Sequence, residues 1–124
     1  MKTILLIEDN LEIRENTSEI LELEGYQLIT AENGRIGFDL SKSHKPDLIL
    51  CDIMMPEMNG YEVFENLKMT GETLAIPFIF ITASAEKSEV QKGLNMGAIG
   101  YIRKPFTERE LLDTINDCFN GKFS

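Results

Sequence analysis

The sequence predicts an α/β protein, a doubly wound parallel sheet of five strands with helices on both faces. Two observations carry that prediction. Three short runs are apolar at every position: Ile4-Leu5-Leu6-Ile7, Leu48-Ile49-Leu50-Cys51 and Phe78-Ile79-Phe80-Ile81. Unbroken apolar runs of strand length belong to strands buried on both faces, as in the middle of a parallel sheet. Strand-like runs also alternate with segments of helical period, five times over, and such alternation forms right-handed crossovers that put helices on both faces.

The elements follow in order. After Ile4–Ile7, residues Ile13, Thr17, Ile20 and Leu21 make one apolar helical stripe. Glu12, Glu15, Glu19 and Glu22 lie opposite it, as a solvated acidic face or a surface for a partner. Gly25 ends this helix in the left-handed conformation that glycine tolerates. Tyr26–Thr30 is a weaker strand, as sheet edges often are. Asn33-Gly34 marks a turn before a short helix near residues 36 to 43, in which Gly37 costs about 1 kcal/mol against Ala. His44 lies at its end, beside Lys45-Pro46, as a surface residue. Leu48–Cys51 is a central strand, and Asn59-Gly60 opens a helix carrying Val63, Phe64 and Leu67. Phe78–Ile81 is followed by a helix whose stripe is Val90, Leu94 and Ala98 and which ends near Gly97. Ile99–Ile102 is the last strand. Thr107-Glu108-Arg109-Glu110 is a capping box that starts a final helix with Leu111, Ile115, Cys118 and Phe119 on one side.

Composition removes several functions. At 124 residues the chain corresponds to one domain, given about 150 residues per domain. Twenty-one acidic against twelve basic residues leave a formal net charge of −9. Such a surface repels nucleic-acid phosphates and anionic lipid. No apolar run approaches the roughly 20 residues of a membrane span. The N-terminus turns acidic at Glu8-Asp9, unlike a signal peptide. Cys51 and Cys118 sit among apolar neighbours, which reads as a reducing, cytoplasmic compartment.

Chemistry is expected at the carboxyl ends of the strands, where open parallel sheets bind ligands. Glu8 and Asp9 follow the first strand and Asp52 the third. Thr82 ends the fourth, with Ala83 and Ser84 behind it, and Lys104-Pro105 follows the fifth. Three carboxylates at one sheet end repel one another unless a cation or a raised pKa intervenes. Oxygen donors without Cys or His suit a hard ion such as Mg²⁺, which takes one or two carboxylates plus water and phosphate oxygens. Lys104, the Thr82 hydroxyl and helix-start N–H groups are anion-binding parts. Together they describe a phosphoryl-transfer site with Asp52 as the oxygen nucleophile. Taken singly, each has a structural alternative: Asp52 as a turn residue, Glu8-Asp9 as helix-capping acids, Thr82 as a strand former, Lys104 as a loop lysine.

These segments resemble the response-regulator receiver domains of two-component signalling, over essentially the whole chain, 1–124, as one unit. The resemblance rests on Ile7-Glu8-Asp9-Asn10, on Cys51-Asp52-Ile53-Met54-Met55-Pro56-Glu57-Met58-Asn59-Gly60, on Ile81-Thr82-Ala83 and on Gly97 to Phe106. It implies the flavodoxin-like strand order 2-1-3-4-5. Asp52 is then the phosphoacceptor, fed by a sensor histidine kinase or a histidine phosphotransfer protein. Asp9, Asp52 and the Met54 backbone carbonyl hold Mg²⁺, with Glu8 acting through water. Thr82 and Lys104 hold the phosphoryl oxygens. Thr82 and Tyr101 form the switch that shifts the face of helix 4, strand 5 and helix 5, which is also a dimerisation surface. Lys104-Pro105 is a cis peptide, and Met54 and Ser84 tune dephosphorylation. Such a protein is an enzyme only in catalysing its own phosphorylation and hydrolysis; its downstream effector is not legible. Ile99-Gly100 departs from the family pattern and is expected to place apolar surface near the output face.

Three other readings are weaker. A dehalogenase-type phosphatase needs a second Asp two residues after the nucleophile, where Met54 stands. A flavodoxin needs a hydroxyl- and glycine-rich phosphate loop where Glu8-Asp9-Asn10 stands. A phosphorylation-independent interaction domain is the remaining alternative, although no residue of the set has been lost.

Overall fold

The computed structural model describes residues 1–83 and 87–121, the side chains of 87–90 excepted. Its elements are β1 (Thr3–Ile7), α1 (Leu11–Leu23), β2 (Gln27–Ala31), α2 (Gly34–His44), β3 (Leu48–Asp52), α3 (Gly60–Lys68), β4 (Phe78–Thr82), α4 (Lys87–Met96), β5 (Gly100–Arg103) and α5 (Glu108–Phe119). All strand pairs are parallel and the order is β2-β1-β3-β4-β5, so the chain reverses its winding between β1 and β3. That is the flavodoxin-like order, and the crevice at the reversal opens at the carboxyl ends of β1 and β3.

Every residue of β3 and β4 is buried, as their unbroken apolar runs require. Alternate residues feed opposite faces. Leu5, Ile7, Ile49, Cys51, Phe78 and Phe80 meet Val63, Phe64 and Leu67 of α3. Ile4, Leu6, Leu48, Leu50, Ile79, Ile81 and Ile102 meet Leu21 of α1 and Leu111 and Ile115 of α5. The first layer is rich in aromatic contacts, with Phe64 edge-on to Phe78 at 5.0 Å between centroids. The second is aliphatic in the middle.

Capping residues fix where the helices begin. Asn10, Asn33, Asn59 and Thr107 are extended and accept a backbone N–H three residues ahead; Asn59 with Glu62 and Thr107 with Glu110 complete capping boxes. The cap at Asn33 starts α2 two residues before the expected 36. Beyond α1, the Gly25 N–H donates to Glu22 and the Tyr26 N–H to Leu21, the paired bonds of a glycine-terminated helix.

Three expectations change on contact with the packing. Gly37 is no idle weakness in α2: a Cβ there would overlap Ile7 Cδ1 and lie 2.6 Å from its Cγ1. The missing side chain lets α2 close on β1. In α4 the position facing the sheet is Gly93, whose added Cβ would lie 2.8 Å from the Phe80 ring, so Leu94 is turned outward and exposed. Of the other two members of that stripe, Ala98 is buried and the side chain of Val90 lies outside the described residues. Gly100 is buried and Ile99 packs half-buried against the aliphatic layer, so this pair does not form the apolar surface expected of it. Among the described residues no helix is long and apolar enough to cross a membrane.

Candidate functional site

The carboxyl end of β1 carries the first acids. The Glu8 N–H still pairs with the Ala31 carbonyl at 3.0 Å, which extends the β1–β2 ladder by one residue. The Asn10 N–H then turns back to Glu8 Oε2 at 3.2 Å, while Asn10 Oδ1 accepts the Ile13 N–H at 2.9 Å. The acids therefore sit at the amino end of α1, where the helix dipole favours negative charge. Asp52 is the last residue of β3 and lies beside Ile81 of β4. Glu8, Asp9 and Asp52 each offer a carboxylate oxygen within 4.8 Å of the others. Glu8 is fully buried, Asp52 is buried and Asp9 is exposed.

Lys104 reaches this trio from the far side of the sheet. Its backbone N–H donates to the Thr82 carbonyl at 2.7 Å, which anchors the end of β5 to the end of β4. Its ammonium lies 2.6 Å from Glu8 Oε1 and 3.4 Å from Asp52 Oδ1. The peptide that follows it, Lys104–Pro105, is cis.

One ammonium does not neutralise three carboxylates. Burial and, next, the Glu8 charge push the Asp52 carboxyl up to about 7, and hydrogen bonds with Glu8 and Asp9 act in the same direction against the pull of Lys104. A hydrogen bond between two carboxyl groups needs a proton on one of them. Asp52 thus carries a proton at acid pH and gives it up as pH rises through about 7 or as a cation takes its place. Its donors are all oxygen, two of them buried and one open to solvent, which fits a hard divalent ion that keeps some of its water. Cys51 adds nothing here, since burial raises its thiol well above the ordinary range.

The structure brings together Glu8, Asp9, Asp52 and Lys104. Thr82, at the neighbouring strand end, is buried with its strand. Met54 lies two residues past Asp52, its side chain 70% exposed. Tyr101 stands on β5 opposite Phe80, with 44% of its surface exposed. Ser84 lies outside the described residues. His44 is exposed. One participant was not foreseen: Arg14 Nη1 donates to the Glu8 backbone carbonyl at 2.7 Å. A sequence signal existed, because a cation near the start of an otherwise acidic helix opposes the helix dipole.

Fold and site define a class: doubly wound α/β proteins with an acid trio and a lysine at the strand ends of the winding reversal. The chain belongs to the response regulator receiver domain family, whose model matches residues 4–116. It is 42% identical over 111 residues to the phosphate regulon transcriptional regulatory protein PhoB of Pseudomonas aeruginosa, covering 90% of this chain and 48% of that protein. It is 37% identical over 121 residues to Protein PilH of the same organism, covering 98% of this chain and 100% of that one. Among solved structures, the Vibrio cholerae chemotaxis protein CheY4 matches with a TM-score of 0.88 at 30% identity, over 94% of this chain and 97% of that one. The chain spans about half the length of several curated relatives, PhoB among them, and the full length of PilH.

Proposed function

We propose that this chain is a phosphorylation-controlled signalling switch, one receiver unit over 1–124, with Asp52 as the phosphoacceptor. The carrying observation is the trio of carboxylates within 4.8 Å of one another with Lys104 against two of them. An Asp52 carboxylate oxygen attacks the phosphorus of a phosphohistidine on a sensor histidine kinase or a histidine phosphotransfer protein. The P–N bond breaks, its electron pair stays on the imidazole nitrogen, and an acyl phosphate forms. Water later attacks the phosphorus and restores the carboxylate. Asp9, Asp52 and the Met54 carbonyl, with Glu8 through water, are the residues that would hold Mg²⁺, which supplies positive charge for the phosphoryl oxygens. Lys104 already stands at the acceptor carboxylate and supplies the remaining fixed charge. In this reading the Thr82 hydroxyl follows the phosphoryl group, Tyr101 turns inward, and the α4–β5–α5 face changes for an effector or a second copy. Met54 and Ser84 flank the path of the hydrolytic water and set the dephosphorylation rate.

A groove of about 770 Å³ beside the site supports docking of the donor. It is lined by Ile13, Thr17 and Ile20 of α1 and by Lys104, Pro105 and Phe106. Glu15 and Glu19 are exposed on the same helix. Reversing both charges slows transfer from the protein donor more than it lowers stability.

The deciding experiment is incubation with Mg²⁺ and a small acyl-phosphate donor, read by intact mass. One labile phosphoryl group is expected, absent from Asp52→Asn and absent in excess chelator. No modification with any donor overturns the reading in favour of a phosphorylation-independent interaction domain. The two free cysteines support a reducing, cytoplasmic setting for the reaction, and the acidic surface argues against nucleic acid or anionic membrane as its partner.

A further inference from the structure

We infer that Arg14 is a positioning residue of the acid cluster, holding the Glu8–Asp9 peptide so that the trio is set before any cation arrives. The inference rests on the reading that this trio takes up Mg²⁺. Glu8 is the first residue past β1, and its carbonyl lies beyond the strand pairing with β3, which ends at Ile7 and Cys51. Its donor is Arg14 Nη1 at 2.7 Å. Arg14 sits in the first turns of α1, its own N–H bonded to Asn10 at 2.9 Å. Helical side chains lean toward the amino end, so a residue at this position aims back at the loop that precedes the helix.

A peptide is planar, so fixing the Glu8 oxygen also fixes the Asp9 nitrogen and the direction in which Asp9 leaves the strand. Asp9 is the exposed member of the trio and lacks the ion pair that holds Glu8 to Lys104. Apart from its contact with the Asp52 carboxyl, the backbone is what orients it. With Glu8 N–H on Ala31 and Glu8 Oε2 on the Asn10 N–H, the Arg14 bond completes the restraint of this turn on every side. A guanidinium suits the task, being planar, always charged and directional, whereas an ammonium is a hydrated point charge.

Geometry and charge predict opposite signs, which makes the inference testable. A cation this close to the trio repels Mg²⁺, so by charge alone its removal tightens binding. By positioning, its removal weakens binding. Outer-shell groups that orient metal ligands are worth about 10–100-fold in affinity. Calorimetric Mg²⁺ titration of the whole chain should give a Kd raised about tenfold in Arg14→Gln and about threefold in Arg14→Lys, with thermal midpoints recorded alongside. Arg14→Lys keeps the charge and changes only the fork, so it reads the geometry even where Arg14→Gln folds poorly. Binding as tight as wild type, or tighter, in Arg14→Lys overturns the inference. A wild-type chain that takes up no Mg²⁺ overturns the reading of the site along with it. Wild-type binding with indifferent variants overturns the role of Arg14 alone.

Discussion

The two halves of the sheet end differently. On the β1–β3 side the strand ends carry buried acids: Glu8 is fully buried and Asp52 nearly so, and Lys104 together with the raised Asp52 pKa eases their mutual repulsion. On the β4–β5 side the ends are held by backbone, through Lys104 N–H to Thr82 and the pairing of Thr82 with Arg103, and β5 alternates buried and exposed residues. One half is electrostatically strained and tightly tied, the other uncharged at its core and half open to solvent. Lys104 joins them, since its backbone belongs to the second half and its ammonium to the first. The β3–β4 ladder already joins the halves and pairs Asp52 with Ile81; Lys104 adds a charged side-chain link from the end of β5 to the Asp52 carboxylate.

The largest way to break that link is Lys104→Met. Glu8 then keeps a buried charge with no cation against it among the described residues. Removing one partner of a buried pair costs about 3–5 kcal/mol. Urea unfolding in chelator should show a loss of that size, with a substantial part recovered in saturating Mg²⁺. A loss below about 1 kcal/mol, or one that Mg²⁺ leaves untouched, means that Lys104 is not what balances the buried acids.

Next in size is the pH dependence of the metal-free chain. The Asp52 carboxyl is raised from its ordinary value of 3.8 to about 7. Between these values the folded chain binds a proton that the unfolded chain has released, so stability is highest at the acid end and is lost as pH rises through about 7. The expected loss from pH 5 to pH 8 in chelator is about 1–3 kcal/mol, less than the whole shift because solvent reaches one flank of the cluster. Asp52→Asn removes the dependence and is the more stable protein at pH 8. Thermal melts across that range decide it, and equal slopes for the two chains refute the assignment.

Packing at β1 gives a smaller effect with a counterintuitive sign. Gly37→Ala gains about 1 kcal/mol of helix propensity. The new methyl overlaps the Ile7 side chain, and overpacking of a filled core costs about 1–3 kcal/mol. A net loss of about 1–2 kcal/mol in chemical unfolding is expected; a gain shows that α2 can retreat from β1 freely.

What the sequence made legible follows from range. The unbroken apolar runs at Leu48–Cys51 and Phe78–Ile81 report burial locally, and the structure extends each by one polar residue, Asp52 and Thr82, at the chemical end. Glu8, Asp9 and Asp52 could be grouped because parallel strands bring their carboxyl ends to one edge. The Glu8–Lys104 pair joins positions 96 apart, a distance that no local pattern spans. Gly37 reads as a weak helix position because propensity is a local quantity, whereas its use is a close approach to Ile7, as that of Gly93 is to Phe80.

The smallest stability effect bears on the open half. Tyr101 is 44% exposed and lies on β5 beside Phe80, toward the aromatic layer. Tyr101→Ala should change the unfolding free energy by less than about 1 kcal/mol, since an exposed ring loses little on truncation. Its proposed importance is in the phosphorylated state, where the ring moves into the space left as Thr82 is drawn toward the acceptor. The ring resonances of selectively labelled Tyr101 are therefore expected to shift on phosphorylation of the wild type. In Thr82→Ala, which keeps Asp52 and Lys104, phosphorylation should persist while that shift is lost. A ring that ignores phosphorylation in the wild type, or that shifts equally without the hydroxyl, would mean that the charged half does not drive the open half by this route.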